Sequence, residues 1–202
     1  IRGTIRTRFA DSCTVSLRRM YLGTQHWEDQ RGYNPEIEIA HEVNGTVRTA
    51  TCSSILQFGH AEPLRNQFRM LTDTPWFTQA DEKATEAPYP VLIPDAVADR
   101  LGITVQQVNA GPVAVRLNGG SVTVHGIFDA DSLGQATDLD GDDILPYDIE
   151  SMPRIQQVDN FVVAEAGDPR IPASQIILAP LRDLEIKVPN GTPVAVSVAL
   201  VM

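Results

Sequence analysis

The chain has 202 residues, with 26 acidic side chains against 16 Lys plus Arg, for a formal net charge of −10 and a pI near 4.7. That length suits one large domain or two small ones and buries enough surface to stabilise a core, so the two cysteines do not mark a disulfide-built mini-protein. An apolar content of 43% with 21% charged residues excludes wholesale disorder, and the negative balance disfavours nucleic acid as a partner.

The longest strongly apolar stretches, 194–202 and 176–181, fall short of the roughly 18 to 20 residues that a spanning helix needs. No signal peptide is visible, and a chain that begins at Ile1 reads as an excised segment or a processed product.

In chain order, Ile5, Phe9, Cys13 and Leu17 recur every four residues and predict a helix over 4–21 that Gly23 ends. Asn44-Gly45 then joins two alternating runs, a signature of a two-residue turn. Ile37, Ile39, His41 and Val43 alternate with Glu36, Glu38 and Glu42, and Val47, Thr49 and Thr51 are expected to continue the period. Pro63, ahead of Leu64, Phe68 and Leu71, predicts a second short helix, and 78–90 reads as a polar loop. Val91, Leu92 and Ile93 form an apolar strand suited to burial on both faces. A third helix follows over 94–102, with Val97 and Leu101 on one face and Gly102 as a left-handed stop. Asn118-Gly119 turns Val113 and Val115 back into Val122, Val124 and Phe128, and Gly126 inside that last run marks a bulge or a close backbone approach. The segment 129–143 reads as a second polar loop. Asn190-Gly191 pairs Leu184, Ile186 and Val188 with Val194, Val196, Val198 and Leu200.

Between Phe77 and Phe128 the order of these pieces resembles the extracytoplasmic core domain of FtsX-like, MacB-type ABC transporter permeases. The resemblance is carried by Trp76-Phe77, the acidic Ala80-Asp81-Glu82, Tyr89-Pro90-Val91-Leu92-Ile93-Pro94, the helix ending in Leu101-Gly102, Gly111-Pro112-Val113, and Val124-His125-Gly126-Ile127. A looser continuation runs through Asp138-Leu139-Asp140-Gly141 and Ile144-Leu145-Pro146-Tyr147. What the resemblance implies is an α+β, β-rich, two-lobed fold. A porter-like lobe would come from both chain ends, 1–72 and 144–202, with a smaller α/β lobe inserted at 73–143. It also implies chain ends on one side of the domain, membrane helices outside the segment, and Arg2, Arg6 and Arg8 near lipid headgroups or simply on a solvated helix face.

Asp129, Asp131, Asp138, Asp140, Asp142, Asp143 and Asp148 suit a hard cation by density. With Gly141 at the sixth place of a calcium loop, however, Ala136 and Tyr147 occupy the first and twelfth, so a solvated loop with Asx turns is favoured. His26, His41, His60 and His125 lack metal-ligand spacing, and Ser12, Ser16, Ser53 and Ser54 lack a nucleophile elbow. Each histidine is expected to be a polar surface or hairpin residue. Cys13 and Cys52 have no CxxC spacing. On the extracytoplasmic reading they would close a loop of about 40 residues with ~3 to 4 kcal/mol of stabilisation, and otherwise they are two separate buried thiols. Asn44 and Asn190 fit glycosylation sequons that their turns already explain. No Walker-type phosphate loop is present, so ATP is expected on a separate subunit or domain.

These readings favour a non-catalytic extracytoplasmic domain, without catalytic, cofactor-binding or metal residues. It would transmit ATP-driven motion of membrane helices to a cargo or partner protein outside the cytoplasmic membrane. The implied partners are an ABC ATPase subunit and that cargo or partner protein, within a dimeric parent permease of the cell inner membrane. The competing readings are a freestanding secreted or periplasmic binding module and a small hydrolase using the acidic loop.

Overall fold

The computed structural model describes residues 15–25, 33–34, 37–138, 141–146, 170–182 and 192–201, with the terminal strands described by backbone apart from Arg18 and Arg19. The strands are β1 (Val15–Gln25), β2 (Tyr33–Asn34), β3 (Ile37–Val43), β4 (Thr46–Cys52), β5 (Ser54–Phe58), β6 (Tyr89–Pro94), β7 (Val113–Leu117), β8 (Gly120–Phe128), β9 (Ile176–Pro180) and β10 (Thr192–Val201). Short helices interrupt them: α1 (Gln79–Lys83), α2 (Asp95–Leu101), α3 (Val105–Ala110) and α4 (Ala130–Gly134). The fold is mixed α+β around one sheet ordered β10-β1-β5-β9-β6-β8-β7-β3-β4, with β2 also paired to β1. The β5–β9 and β6–β8 pairs are parallel and the others antiparallel.

The middle strands are buried on both faces, and their alternation sorts the core into two layers. Ile55, Val91, Ile93, Ile127 and Ile177 face α2 and α3. Leu56, Phe58, Leu92, Phe128 and Leu178 face the other way, onto Leu64, Phe68, Phe77 and Leu133. The expected two-sided burial of Val91, Leu92 and Ile93 is therefore observed.

Two turns follow the Asn-Gly signature. Asn44 and Gly45 have φ of 50° and 75°, and Asn118 and Gly119 have φ of 45° and 78°, the left-handed pair that a tight hairpin requires. Helix α2 ends as expected at Gly102, whose φ of 66° lets the backbone N–H groups of Gly102 and Ile103 cap the last carbonyls. In β8 the register against β6 jumps from Val124 to Gly126, so His125 is the extra residue of a bulge. A Cβ on Gly126 would stand 2.7 Å from Met70 Cε and 2.9 Å from Leu92 Cδ2. Beyond the bulge, 69–72 replaces β7 beside β8: Leu71 N–H donates to the Ile127 carbonyl at 2.8 Å, and Ile127 N–H donates to Thr72 Oγ1 at 3.2 Å.

Several expectations are corrected. The helix drawn over 4–21 is a strand from Val15 onward, held between β10 and β5; residues 1–14 lie outside the described residues. A four-residue repeat of apolar side chains is also every second position of a strand face, so the pattern fitted both structures. In the first hairpin Val43 pairs with Thr46, which sets odd positions of β3 against even positions of β4. Ala50 and Cys52 therefore point inward, whereas Val47, Thr49 and Thr51 point out. The Pro63 helix is a single 3-10 turn, Pro63–Asn66. The loops drawn at 78–90 and 129–143 contain α1 and α4. Helix α3, absent from the sequence expectation, starts at a capping box in which Thr104 and Gln107 satisfy each other's backbone N–H groups. The strand expected at Leu184, Ile186 and Val188 lies outside the described residues, and its expected mate, β10, pairs with β1.

Candidate functional site

The densest polar contacts join β1 to the body of the sheet. Arg18 makes a two-pronged bond to Glu62, at 2.8 Å to Oε1 and 3.1 Å to Oε2, and the Glu62 side chain is fully buried. Glu62 Oε1 also accepts from the Leu64 N–H at the start of the 3-10 turn, so one carboxylate ties a strand to a helix end. The Arg18 guanidinium lies 5.7 Å from the Phe58 ring centroid. Phe58 in turn packs with Phe68 and Trp76, and the Trp76 indole N–H donates to the Gly59 carbonyl.

Next along β1, Arg19 donates to the backbone carbonyl of Arg182 at 3.2 Å. The buried Gln57 amide donates to that carbonyl at 2.7 Å and to the Pro180 carbonyl at 3.2 Å. Arg182 stacks 3.7 Å above the Tyr89 ring and reaches the Asp81 carbonyl of α1 at 3.4 Å. Its Nε and the Gln57 Oε1 are buried without a partner among the described residues. Beside it Glu82 accepts from the His60 backbone N–H at 2.6 Å and lies 2.9 Å from His60 Nδ1. Two separate ties thus leave β1, Arg18 to Glu62 from one face of the sheet and Arg19 to the Arg182 carbonyl from the other, with Arg182 reaching on to α1; together they form a latch. Chemically it holds chain segments together, because it consists of side chains bonded to carbonyls, to a helix start and to one another.

The other sequence candidates do not converge. His41 is buried on β3 and donates to the Leu101 carbonyl at the end of α2, rather than lying at the surface. His125 occupies the β8 bulge, where burial holds its imidazole below the usual pKa and the charge of Asp81 offsets part of that. Ser53 donates to Gln175 at 2.6 Å, and Ser54 is fully buried. Cys52 is a free thiol, 1% exposed, that burial pushes up to about 12, with Arg100 pulling the other way. In the acidic segment the Asp143 carboxylate accepts the Leu145 N–H as an Asx turn, and the Asp138 carboxylate accepts the Asp142 N–H four residues on. Asp129 pairs with Arg69 at 3.1 Å. No three His, Cys, Asp or Glu side chains gather around a metal-sized space among the described residues. His26, Ser12, Cys13, Asp140, Asp148 and Asn190, with Arg2, Arg6 and Arg8, lie outside the described residues.

The latch was not legible in the sequence. Its members lie 44 to 163 residues apart in the Arg18–Glu62 and Arg19–Arg182 contacts, and no local spacing announces such pairs. Two shallow grooves, of about 410 Å³ beside Glu42 and Val47 and about 340 Å³ beside Asp131 and Ser174, contain no histidine or cysteine. No protein-family model, no curated protein and no solved structure matches the chain.

Proposed function

We propose that the chain is a non-catalytic extracytoplasmic domain of an FtsX-like ABC transporter permease, passing ATP-driven movement of membrane helices to a cargo or partner protein outside the cytoplasmic membrane. One observation carries this proposal. β1 and β10 run antiparallel with Val15 opposite Val201, so the described chain enters and leaves the sheet side by side. A domain looped out between two membrane segments needs that arrangement.

The latch supplies the mechanical half. A displacement applied through β1 reaches β5 by strand pairing and reaches the 3-10 turn and α1 through Arg18–Glu62 and the Arg182 contacts. Motion is transmitted only through elements that shift as packed bodies, and buried bidentate pairs are stiff connections of that kind. The order of strand, helix, glycine stop, hairpin and glycine-interrupted strand at 89–128, on which the resemblance rests, is realised as β6, α2, Gly102, β7–β8 and Gly126.

In this account a porter-like lobe holds the chain-end strands with β5 and β9, and a second lobe holds β6, β7 and β8. They meet where Leu92 of β6 pairs with Leu178 of β9. The β3–β4 hairpin, expected within the 1–72 part of the porter-like lobe, pairs with β7 of the second. Nucleotide binding falls to a separate ATPase subunit, and the parent permease is an inner-membrane dimer. Expression of the full gene with an affinity tag tests this: the product is expected in the membrane fraction, co-purifying with an ATP-hydrolysing subunit. Recovery as a soluble periplasmic protein without that subunit would sink the proposal in favour of a freestanding binding module.

A further inference from the structure

β4 ends the sheet, and its outer edge carries the backbone groups of Val47, Thr49 and Thr51. The two-residue turn places Val43 against Thr46. Such a turn makes that pair, and every second pair after it, the hydrogen-bonded ones, so even positions of β4 bond to β3 while odd positions point their N–H and C=O away. Those odd residues are also exposed, and Val47, at 59%, is an exposed large apolar side chain on this edge. Protein edges are ordinarily blunted by charged side chains, Pro or a bulge. On β4 the one charged side chain is Arg48, there is no Pro, and the register against β3 is unbroken. Arg48, on the inner side, lies folded over Gly102.

The neighbouring row on β3 carries two glutamates, with Arg116 of β7 opposite Ala40 between them. Glu42 pairs with Val47 and Glu38 with Thr51, both glutamates are exposed, and neither carboxylate has an ion-pair partner among the described residues. We propose that this edge accepts an extended basic peptide segment as an added antiparallel strand. The segment would carry Lys or Arg opposite Val47 and Thr51, four positions apart, with the backbone between them bonded to Thr49. The inter-strand spacing of about 4.8 Å lets a long cationic side chain cross one strand to reach Glu42 or Glu38. Main-chain bonds then supply the docking and the paired charges the selectivity.

The full 202-residue chain is titrated with acetyl-Ser-Lys-Val-Thr-Val-Lys-Ser-amide and with the analogue in which both Lys are Glu, and amide NMR shifts are followed. The Lys peptide is expected to shift the amides of Val47, Thr49 and Thr51 and to bind at least about fivefold more tightly than the Glu peptide, as two exposed ion pairs warrant. Thr49→Pro, which removes an outward N–H and no bond to β3, is expected to abolish binding with the circular dichroism spectrum retained, and Glu38→Gln/Glu42→Gln to erase the Lys preference. Equal binding of both peptides, no shift at millimolar Lys peptide, or unchanged binding by Thr49→Pro would overturn the proposal. A concentration-dependent dimer that Thr49→Pro dissolves and the peptide does not would also overturn it, by assigning the edge to a second copy.

Discussion

Arg18 and Glu62 show how one pair governs a whole strand. With the Glu62 side chain fully buried and that of Arg18 only 12% exposed, truncating the arginine strands a carboxylate in the interior. Arg18→Ala is expected to destabilise the fold by about 3 to 5 kcal/mol, measured by urea unfolding; a loss below about 1 kcal/mol would assign the pair to solvent-screened contacts. Cys52 behaves oppositely, since burial favours its neutral thiol. Its folded pKa is raised from 9.0 to about 12, so its contribution is fully present below pH 9 and is lost as pH rises from 9 towards 12. Urea midpoints of the parent chain should fall between pH 8 and 10 more steeply than those of Cys52→Ala, and parallel slopes would contradict this.

At the scale of elements, legibility followed locality. The Asn44-Gly45 and Asn118-Gly119 turns and the Gly102 stop are readable because each depends on a left-handed backbone that few residues adopt, and Gly126 because a glycine inside a strand marks a bulge or a close approach. β1 was misread because residues spaced by four fit a strand face as well as a helix stripe, and what decides between them is the pairing with β10 and β5 at distant sequence positions. The inward face of β4 was missed by one position because turn length fixes register, and register fixes which residues are buried. Helix α3 did leave a signal, the Thr104–Gln107 capping box. The bulge yields a prediction at this scale. A methyl at Gly126 meets Met70, Leu92 and, at 3.1 Å, Thr72 Oγ1, so Gly126→Ala is expected to lose about 1 to 3 kcal/mol as these side chains are displaced. Thermal unfolding measures it, and an unchanged midpoint would mean that 69–72 moves away freely.

Across the whole molecule, one sheet spans both core layers and carries the two chain-end strands at its β10–β1 edge. Its opposite end is β4, whose outer edge has no partner strand among the described residues and is flanked by Glu38 and Glu42. The sheet therefore separates the place where the chain is proposed to be tethered from the place where a partner strand is proposed to dock, a layout suited to passing displacement from one to the other. The candidate site was the least legible part, since its latch is built from tertiary contacts and contains no reactive motif. On the proposed role, this domain projects outside the cytoplasmic membrane from a membrane-embedded parent. A cysteine at exposed Thr85 in the full-length gene product, treated in intact cells with a membrane-impermeant maleimide, tests it most directly. Labelling of membrane-fraction protein before lysis, above that of the parent without the new cysteine, is the predicted result; labelling only after lysis would contradict the account.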